Sequence, residues 1–290
     1  MKNALLTILI FFWKLITIFP IKFQNAMSFF IGQLILKSSF KRNKYSRVNI
    51  DLCFPNLSFE KRSEIYKNNV LSSGQAIFDT GIAWFWSDKR IKKNISYEII
   101  GLENLLQYQK SNTGILLFFK HSLHLELDSR LLAMHAEIYA IGRKHNSKIF
   151  EAVQRKGRLK SIKGLADRRN TFTFIKWLKK GKTVLYASDQ DYGINKSEEV
   201  DFFGLPSATI SAPYKIVQKT GCKTFFINTF REDNIIKIVI EEINIDKSSS
   251  KKFSKELNKF IENKIRLNPH EYLWQHRRFK STLGKKNIYK

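Results

Sequence analysis

Short apolar runs that recur between helix-like stretches restrict the fold of this chain more than anything else in it. Gly114-Ile-Leu-Leu-Phe-Phe119 is the strongest, and Glu137-Ile-Tyr-Ala-Ile141, Thr183-Val-Leu-Tyr-Ala187 and Lys223 to Phe230 follow it. A continuous apolar run of this length, without alternation, fits a strand buried on both faces, which is the state of a parallel strand covered by helices. Helical stretches fall between the runs: Leu102 to Lys110, one starting near Ser122, one from Ser147, and one from Thr171 to Lys180 capped by Asn170 and closed by Gly181. Strand, helix, strand, helix, strand predicts an α/β fold, a central mostly parallel sheet flanked by helices. The turn Arg231-Glu-Asp-Asn234 pairs the run from Lys223 with Ile235 to Ile240 as a hairpin. Tyr97 to Ile100 reads as a short strand, Phe202 to Thr209 as a loop, Ala212 to Thr220 as a helix, and Lys252 to Arg266 as a final helix. Ser58 reads as the N-cap of a helix that continues toward Trp84-Phe-Trp86.

The chemistry is expected where the first run ends. Lys120-His-Ser-Leu-His-Leu-Glu-Leu-Asp-Ser-Arg130 follows it directly, so His121 emerges at a strand's carboxyl end, where α/β proteins place ligands. Five residues on one helix would set His121 and Glu126 about 140° apart. With His121 in the loop and Glu126 one turn inside the helix, the carboxylate can reach one imidazole nitrogen while the other faces substrate. A neutral imidazole can then draw a proton from an alcohol, and the acid fixes its tautomer and stabilises the imidazolium. His124 and Asp128 also stand four residues apart, so a rival dyad or a metal triad with His121 is open from spacing alone. No Cys or further His/Glu cluster lies nearby to complete a metal shell. A second acidic pair, Asp189 and Asp191, opens from the exit of the Thr183 to Ala187 run, and Asp189 and Glu126 are expected on one edge.

With 290 residues there is ample core, and no linker or repeat divides the chain. The two cysteines, Cys53 and Cys222, form no framework and fit a reducing compartment. Fifty-one Lys and Arg against 25 Asp and Glu give a formal charge of +26, which implies an anionic partner: nucleic acid, an acidic membrane surface, or a phosphorylated substrate. The amino terminus narrows that choice. Ala4 to Ile21 is apolar except for Thr7, Lys14 and Thr17, and a second apolar stretch runs from Phe23 to Leu36. This length is enough to cross a bilayer, and a helix lying in the interface is the alternative. We assign 1–36 to a membrane anchor and 37–290 to the main body. Lys37, Lys41, Arg42, Lys44 and Arg47 follow the apolar region and only Lys2 precedes it, so the body is expected on the cytoplasmic side.

Three further clusters carry two readings each. The aromatic segment Ile77 to Trp86 is core packing or the wall of an acyl-chain groove. Arg155-Lys-Gly-Arg-Leu-Lys160 is a phosphate-holding turn or a solvated basic loop. Trp274, His276, Arg277 and Arg278 form an anionic-lipid site or a packed carboxyl-terminal helix.

Taken in order, these blocks resemble the lipid A biosynthesis late acyltransferases of Gram-negative bacteria, and within them the lauroyl-transferring type. The resemblance runs through Asn49 to Pro55, Thr80 to Trp86, Gly101 to Glu103, His121 to Arg130, Arg143 to Asn146, Arg155 to Arg158, Asp189 to Gly193, Phe202 to Gly204 and Glu271 to Lys280. It implies a fold like the lysophospholipid acyltransferases and transfer of a fatty acyl chain, lauroyl in this branch. The donor would be acyl carrier protein and the acceptor a hydroxyl of the Kdo-substituted, tetra-acylated lipid A precursor, a phosphorylated glycolipid. It further implies His121 as general base, Glu126 as its partner, Arg158 and Asp189 as substrate-positioning residues, no metal or organic cofactor, no nucleic acid, and an inner-membrane location. Arg158 or a backbone amide near Ser122 would stabilise the oxyanion. The acidic loop departs from the family in reading Ala187-Ser188-Asp189, without the usual preceding proline. A glycerol-phosphate or lysophospholipid acyltransferase shares the H-x4-D/E spacing but commonly has Asp at the second position. Charge alone also allows a basic membrane-associated binding protein.

Overall fold

Every side chain of Ile115, Leu116, Leu117 and Phe118 is inaccessible to solvent, and that burial places their strand in the middle of a sheet with helices on both faces. The computed structural model describes residues 2–289. Its seven-stranded sheet is built from β1 (Tyr97–Ile100), β2 (Ile115–Phe119), β3 (Ile138–Gly142), β4 (Gly164–Asp167), β5 (Thr183–Ala187), β8 (Lys223–Glu232) and β9 (Ile235–Glu242), in the order β1-β9-β8-β2-β5-β3-β4. All neighbours are parallel except β8 and β9. The mostly parallel sheet expected from the apolar runs is therefore present. The exception is the expected hairpin: Asp233 and Asn234 both take positive φ, 48° and 63°, the left-handed pair that matches a two-residue turn to strand twist.

Helices α1 (Lys2–Ile16), α2 (Ile21–Lys37), α3 (Lys41–Cys53), α4 (Phe59–Phe85) and α5 (Asp88–Asn94) precede the sheet. Helices α6 (Leu102–Lys110), α7 (Leu125–Ala133), α8 (Lys148–Arg158), α9 (Thr171–Lys179), α10 (Ala212–Thr220), α11 (Ser250–Leu267) and α12 (Lys285–Ile288) connect or follow its strands. Ser58 and Asn170 cap α4 and α9 through their side chains, as the sequence indicates. Two apolar clusters fill the two faces. One gathers Leu116, Phe118, Phe226, Phe253 and Trp274, the other Leu117, Leu131, Ile138, Phe225 and Trp84.

Two expectations need correction. Phe202 to Thr209 is not a loop: β6 (Ser197–Phe202) and β7 (Leu205–Ile210) form a separate antiparallel ribbon around Phe203 and Gly204, both at positive φ. Asn258, from α11, donates to the Asp201 carbonyl at 2.9 Å and the Thr209 hydroxyl at 2.9 Å, a long-range support that no local pattern shows.

The second correction concerns the amino terminus. The apolar run does not make one membrane-crossing helix, and no helix among the described residues is long and apolar enough to cross a membrane. The run is cut at Thr17 to Pro20 into helices of 15 and 17 residues. At 1.5 Å per residue these reach about 23 and 26 Å, short of the ~30 Å hydrocarbon layer. Tertiary hydrogen bonds hold the break. Trp86 donates its ring N–H to the Thr17 carbonyl at 2.7 Å, buried Gln24 donates to the Thr17 and Phe19 carbonyls, and Arg90 donates to that of Ile18 at 2.7 Å. The resulting hairpin packs by one side on α4. Trp13 stacks edge-on against Trp84 and Phe85, and a Cβ added to Gly74 would stand 2.2 Å from the Ser28 carbonyl oxygen, so α2 and α4 approach backbone to backbone. The other side leaves Leu5, Ile8, Leu9, Phe11, Phe12, Phe23, Phe29, Phe30 and Leu34 exposed.

Candidate active site

Strand register brings the site together. Phe119 of β2 is paired with Ala187 of β5, so the chain positions two residues beyond each, His121 and Asp189, leave the sheet side by side. The Asp189 carboxylate takes the imidazole Nδ1 on Oδ1 at 2.6 Å and the His121 backbone N–H on Oδ2 at 2.8 Å. Asp189 is fully buried, whereas the imidazole keeps 17% of its surface open. Burial alone would raise the Asp189 carboxyl, but the adjacent His121, through its charge and both hydrogen bonds, brings it down to about 2.

Glu126 is placed in the first turn of α7, as expected, yet the hydrogen bond foreseen between it and His121 is not formed. Its carboxylate lies against Arg158 at the end of α8, which approaches with Nε at 3.1 Å from both oxygens and with Nη2, and it accepts the Trp84 ring N–H at 2.8 Å. The physical reason is again tertiary. Asp189 already occupies the Nδ1 side of the imidazole, and the half-buried Arg158 guanidinium offers Glu126 a charged, forked partner. Burial works against the Arg158 charge, and the Glu126 carboxylate more than offsets it, so the guanidinium is held above its usual value. Of the basic turn read from sequence, Arg158 faces inward while Arg155, Lys156 and Lys160 are exposed.

Glu126 and Arg158 form part of the wall of a partly open cleft. Trp84, Phe119, Leu125, Ala140, Ile141, Ile162 and Leu185 give it apolar surface; Ser129, Arg130 and Ser161 are its other polar residues. The Phe119 ring lies 5.7 Å from the imidazole, which places the His121–Asp189 pair beside the cleft. Trp84 is thus buried, as core packing requires, and also lines the cleft. Gly157 makes this possible: a Cβ there would stand 2.4 Å from Trp84 Cγ. Gly157→Ala is expected to displace the indole, break its bond to Glu126, and destabilise the fold by about 1–3 kcal/mol through overpacking. Thermal unfolding checks it, and a variant that melts with the native protein would show that the indole relocates freely.

The loop between β2 and α7 is tied along its length. Buried Lys120 donates to the Thr229 carbonyl at 2.8 Å, and burial pushes its ammonium down to about 8, against the pull of Glu271 and Asp128. Ser122 donates to Asp128 at 2.7 Å. A strap following Pro269–Glu271 pairs with the loop: Leu123 N–H donates to the Glu271 carbonyl and Leu273 N–H to that of His121, each at 2.9 Å. The carboxyl-terminal cluster is accordingly packed rather than lipid-facing in its central members, Trp274 and Arg278, which are 1% and 2% exposed. His124 and Asp128, the rival pair by spacing, go to different partners. His124 binds Asp79 at 2.6 Å, while Asp128 accepts from Ser122 and Thr229. Spacing along one helix could not reveal the Asp189 contact; the equal distances of His121 and Asp189 beyond two apolar runs were the available signal.

Comparison with known proteins agrees with this architecture. Residues 1–281 match the family described as bacterial lipid A biosynthesis acyltransferase. The chain is 34% identical over 257 residues to the lipid A biosynthesis palmitoleoyltransferase of Escherichia coli (strain K12), covering 86% of this chain and 82% of that protein. It is 33% identical over 256 residues to the lauroyltransferase of the same organism, covering 87% and 83%. A lipid A biosynthesis acyltransferase of Haemophilus influenzae is 32% identical over 277 residues, covering 93% and 88%. The protein is therefore an enzyme of the acyltransferase class. It belongs to the bacterial lipid A biosynthesis acyltransferase family.

Proposed function

We propose that this enzyme moves a fatty acyl chain, lauroyl in our reading, from acyl carrier protein to a hydroxyl on an acyl chain of the Kdo-substituted tetra-acylated lipid A precursor. The observation that carries the reading is an imidazole held through Nδ1 by a buried carboxylate at the side of an apolar cleft whose wall contains Glu126 and Arg158. With Nδ1 engaged, Nε2 is the nitrogen left to take the proton of the acceptor hydroxyl. The alkoxide attacks the thioester carbonyl, the oxyanion of the tetrahedral adduct is met by Arg158, and the imidazolium returns its proton to the departing thiolate. Glu126 holds the Arg158 fork by its Nε and Nη2 and leaves Nη1 uncommitted. Asp189 takes the role of orienting carboxylate, and Glu126 acts through Arg158. The exposed Arg155, Lys156 and Lys160 supply positive charge beside the cleft for a phosphorylated acceptor or an anionic carrier.

Purified enzyme given lauroyl-acyl carrier protein and the tetra-acylated precursor should yield a lipid heavier by one lauroyl group in mass spectrometry. Acylation of lysophospholipid or glycerol phosphate instead would move the reading to the rival acceptor class. Preference for a palmitoleoyl donor would replace the chain and leave the chemistry.

The exposed apolar side of the α1–α2 hairpin supports docking into the cytoplasmic face of the inner membrane, with the sheet domain outside the bilayer. Phe29 and Phe30, 59% and 58% exposed, project from the helix that packs on α4. Burial of each phenyl is worth about 1.5–3 kcal/mol, so Phe29→Ser with Phe30→Ser should weaken binding to anionic phospholipid vesicles by at least about tenfold at unchanged melting temperature. Equal vesicle binding by the double variant would remove this face from the membrane contact.

A further inference from the structure

A second imidazole–carboxylate pair stands behind the first. His124 Nδ1 lies 2.6 Å from Asp79 Oδ2, and the two side chains are 4% and 2% exposed. His124 is 4% exposed against 17% for His121, so it is not placed as a second base for lipid. Its place in the chain is informative. It is the residue at which the loop carrying His121 becomes helix α7, and its carbonyl accepts from Leu127 and Asp128, the start of the helix that presents Glu126. Asp79 belongs to α4, the same helix whose Trp84 binds Glu126. Burial would raise the Asp79 carboxyl, but Arg231 and the His124 hydrogen bond more than compensate and hold it below its usual value. Its other oxygen accepts from Gln75 at 3.0 Å, and Gln75 in turn accepts from Ser28 of α2 at 2.6 Å. A line of hydrogen bonds therefore runs from the apolar hairpin through α4 to the loop.

We propose that Asp79, acting through His124, is a positioning carboxylate that pins the start of α7 to α4 and so sets where His121 and Glu126 stand relative to the cleft. The proposal rests on the reading of His121 as the proton acceptor. A reacting group displaced by about 1 Å loses rate steeply, on the order of 10²-fold, without a matching loss of substrate binding. The other direct ties of the loop come from the strap, from β8 and from Asp189; the Asp79 bond is its direct side-chain tie to α4 and, beyond that, to the hairpin, while Asn69 of α4 reaches it indirectly by holding the strap carbonyls of His270 and Tyr272.

Side-chain geometry supplies the test. The amide nitrogen of asparagine is as many bonds from the backbone as Nδ1 of histidine, whereas that of glutamine is one bond further. His124→Asn can keep a donor on Asp79, His124→Gln shifts it, and His124→Ala removes it. In the full-length enzyme with lauroyl-acyl carrier protein and the tetra-acylated precursor, His124→Ala should lower kcat by about tenfold or more with KM within about twofold, and His124→Asn should stay within about threefold of the native kcat. Hydrogen exchange gives a readout that needs no turnover: the His121 and Leu123 amides should exchange at least about tenfold faster in His124→Ala and at near-native rates in His124→Asn. Native kcat and native protection in the alanine variant overturn the proposal, and so does an asparagine variant as impaired as alanine. Should His124→Ala not fold, the pair His124→Asn and His124→Gln decides, and identical protection and kcat in the two overturn it. Absence of turnover in the native enzyme would count against the acyl-transfer reading alone, because the exchange comparison stands without it.

Discussion

His121→Ala is expected to lower kcat for acyl transfer by about 10²- to 10⁴-fold while the protein keeps its fold and its melting temperature within a few degrees. Both histidines of the loop are held at Nδ1 by a carboxylate, but His121 keeps 17% of its side chain exposed and His124 only 4%. Removal of the His121 ring leaves an alcohol with no base and a thiolate with no acid, two proton transfers that the same ring serves in turn. The fold should tolerate the change, since the loop retains its backbone bonds to Glu271 and Leu273. Steady-state kinetics beside a thermal melt tests it. Near-native turnover in the alanine variant would sink the assignment of His121 as base, and with His124 bonded to Asp79 the search would turn to another residue of the cleft.

Replacing Asp189 by asparagine is expected to cost a similar amount, about 10²- to 10⁴-fold in kcat, for a different reason. An asparagine in this position can accept only one of the two hydrogen bonds now received, and its amide hydrogens favour the imidazole tautomer that turns the wrong nitrogen to substrate. Glu126→Gln is the informative companion. It leaves the His121–Asp189 contacts untouched and loosens Arg158, so it should impair stabilisation of the oxyanion without changing imidazole orientation. The same Asp189 carboxyl carries a stability signature. Its folded-state value, about 2, lies below the ordinary 3.8, so its contribution is complete above about pH 4 and disappears as pH falls toward 2. By linkage the contribution is on the order of 2 kcal/mol. The difference in melting temperature between the native protein and Asp189→Asn should therefore be constant from pH 7 to about pH 4 and shrink below it. A gap that stays constant to pH 3 would show that the buried carboxylate is not held by its histidine.

Much of the sheet was legible in the chain because complete burial leaves a local trace. Ile115 to Phe119, Ile138 to Gly142 and Thr183 to Ala187 are apolar without alternation, and only strands covered on both faces demand that. The hairpin at Asp233-Asn234 was legible for an equally local reason, the tolerance of these two residues for positive φ. The β6–β7 ribbon left a weaker trace. Its turn, Phe203-Gly204, puts a bulky residue at positive φ, and its strands are steadied by Asn258 and Arg278 from distant parts of the chain. The amino-terminal run shows the same limit from the other side. Its composition suffices for a membrane span, and it is a hairpin because Trp86, Gln24 and Arg90 hold the carbonyls of the break between Thr17 and Phe19.

In the site, the chain by itself determined that His121 and Asp189 leave the carboxyl ends of buried strands; Glu126 followed from its spacing to His121, and Arg158 from the basic turn and the family resemblance. Which carboxylate meets which base was decided only by tertiary structure. The H-x4-E spacing links two residues near in sequence, whereas the imidazole's partner comes 68 positions later through the register of β2 on β5, and Glu126 is claimed by an arginine 32 positions away. The physical reason is that burial of an apolar run is a property of the run itself, but the partner of a buried charge is whichever opposite charge or donor the packed strands and helices bring within about 3 Å.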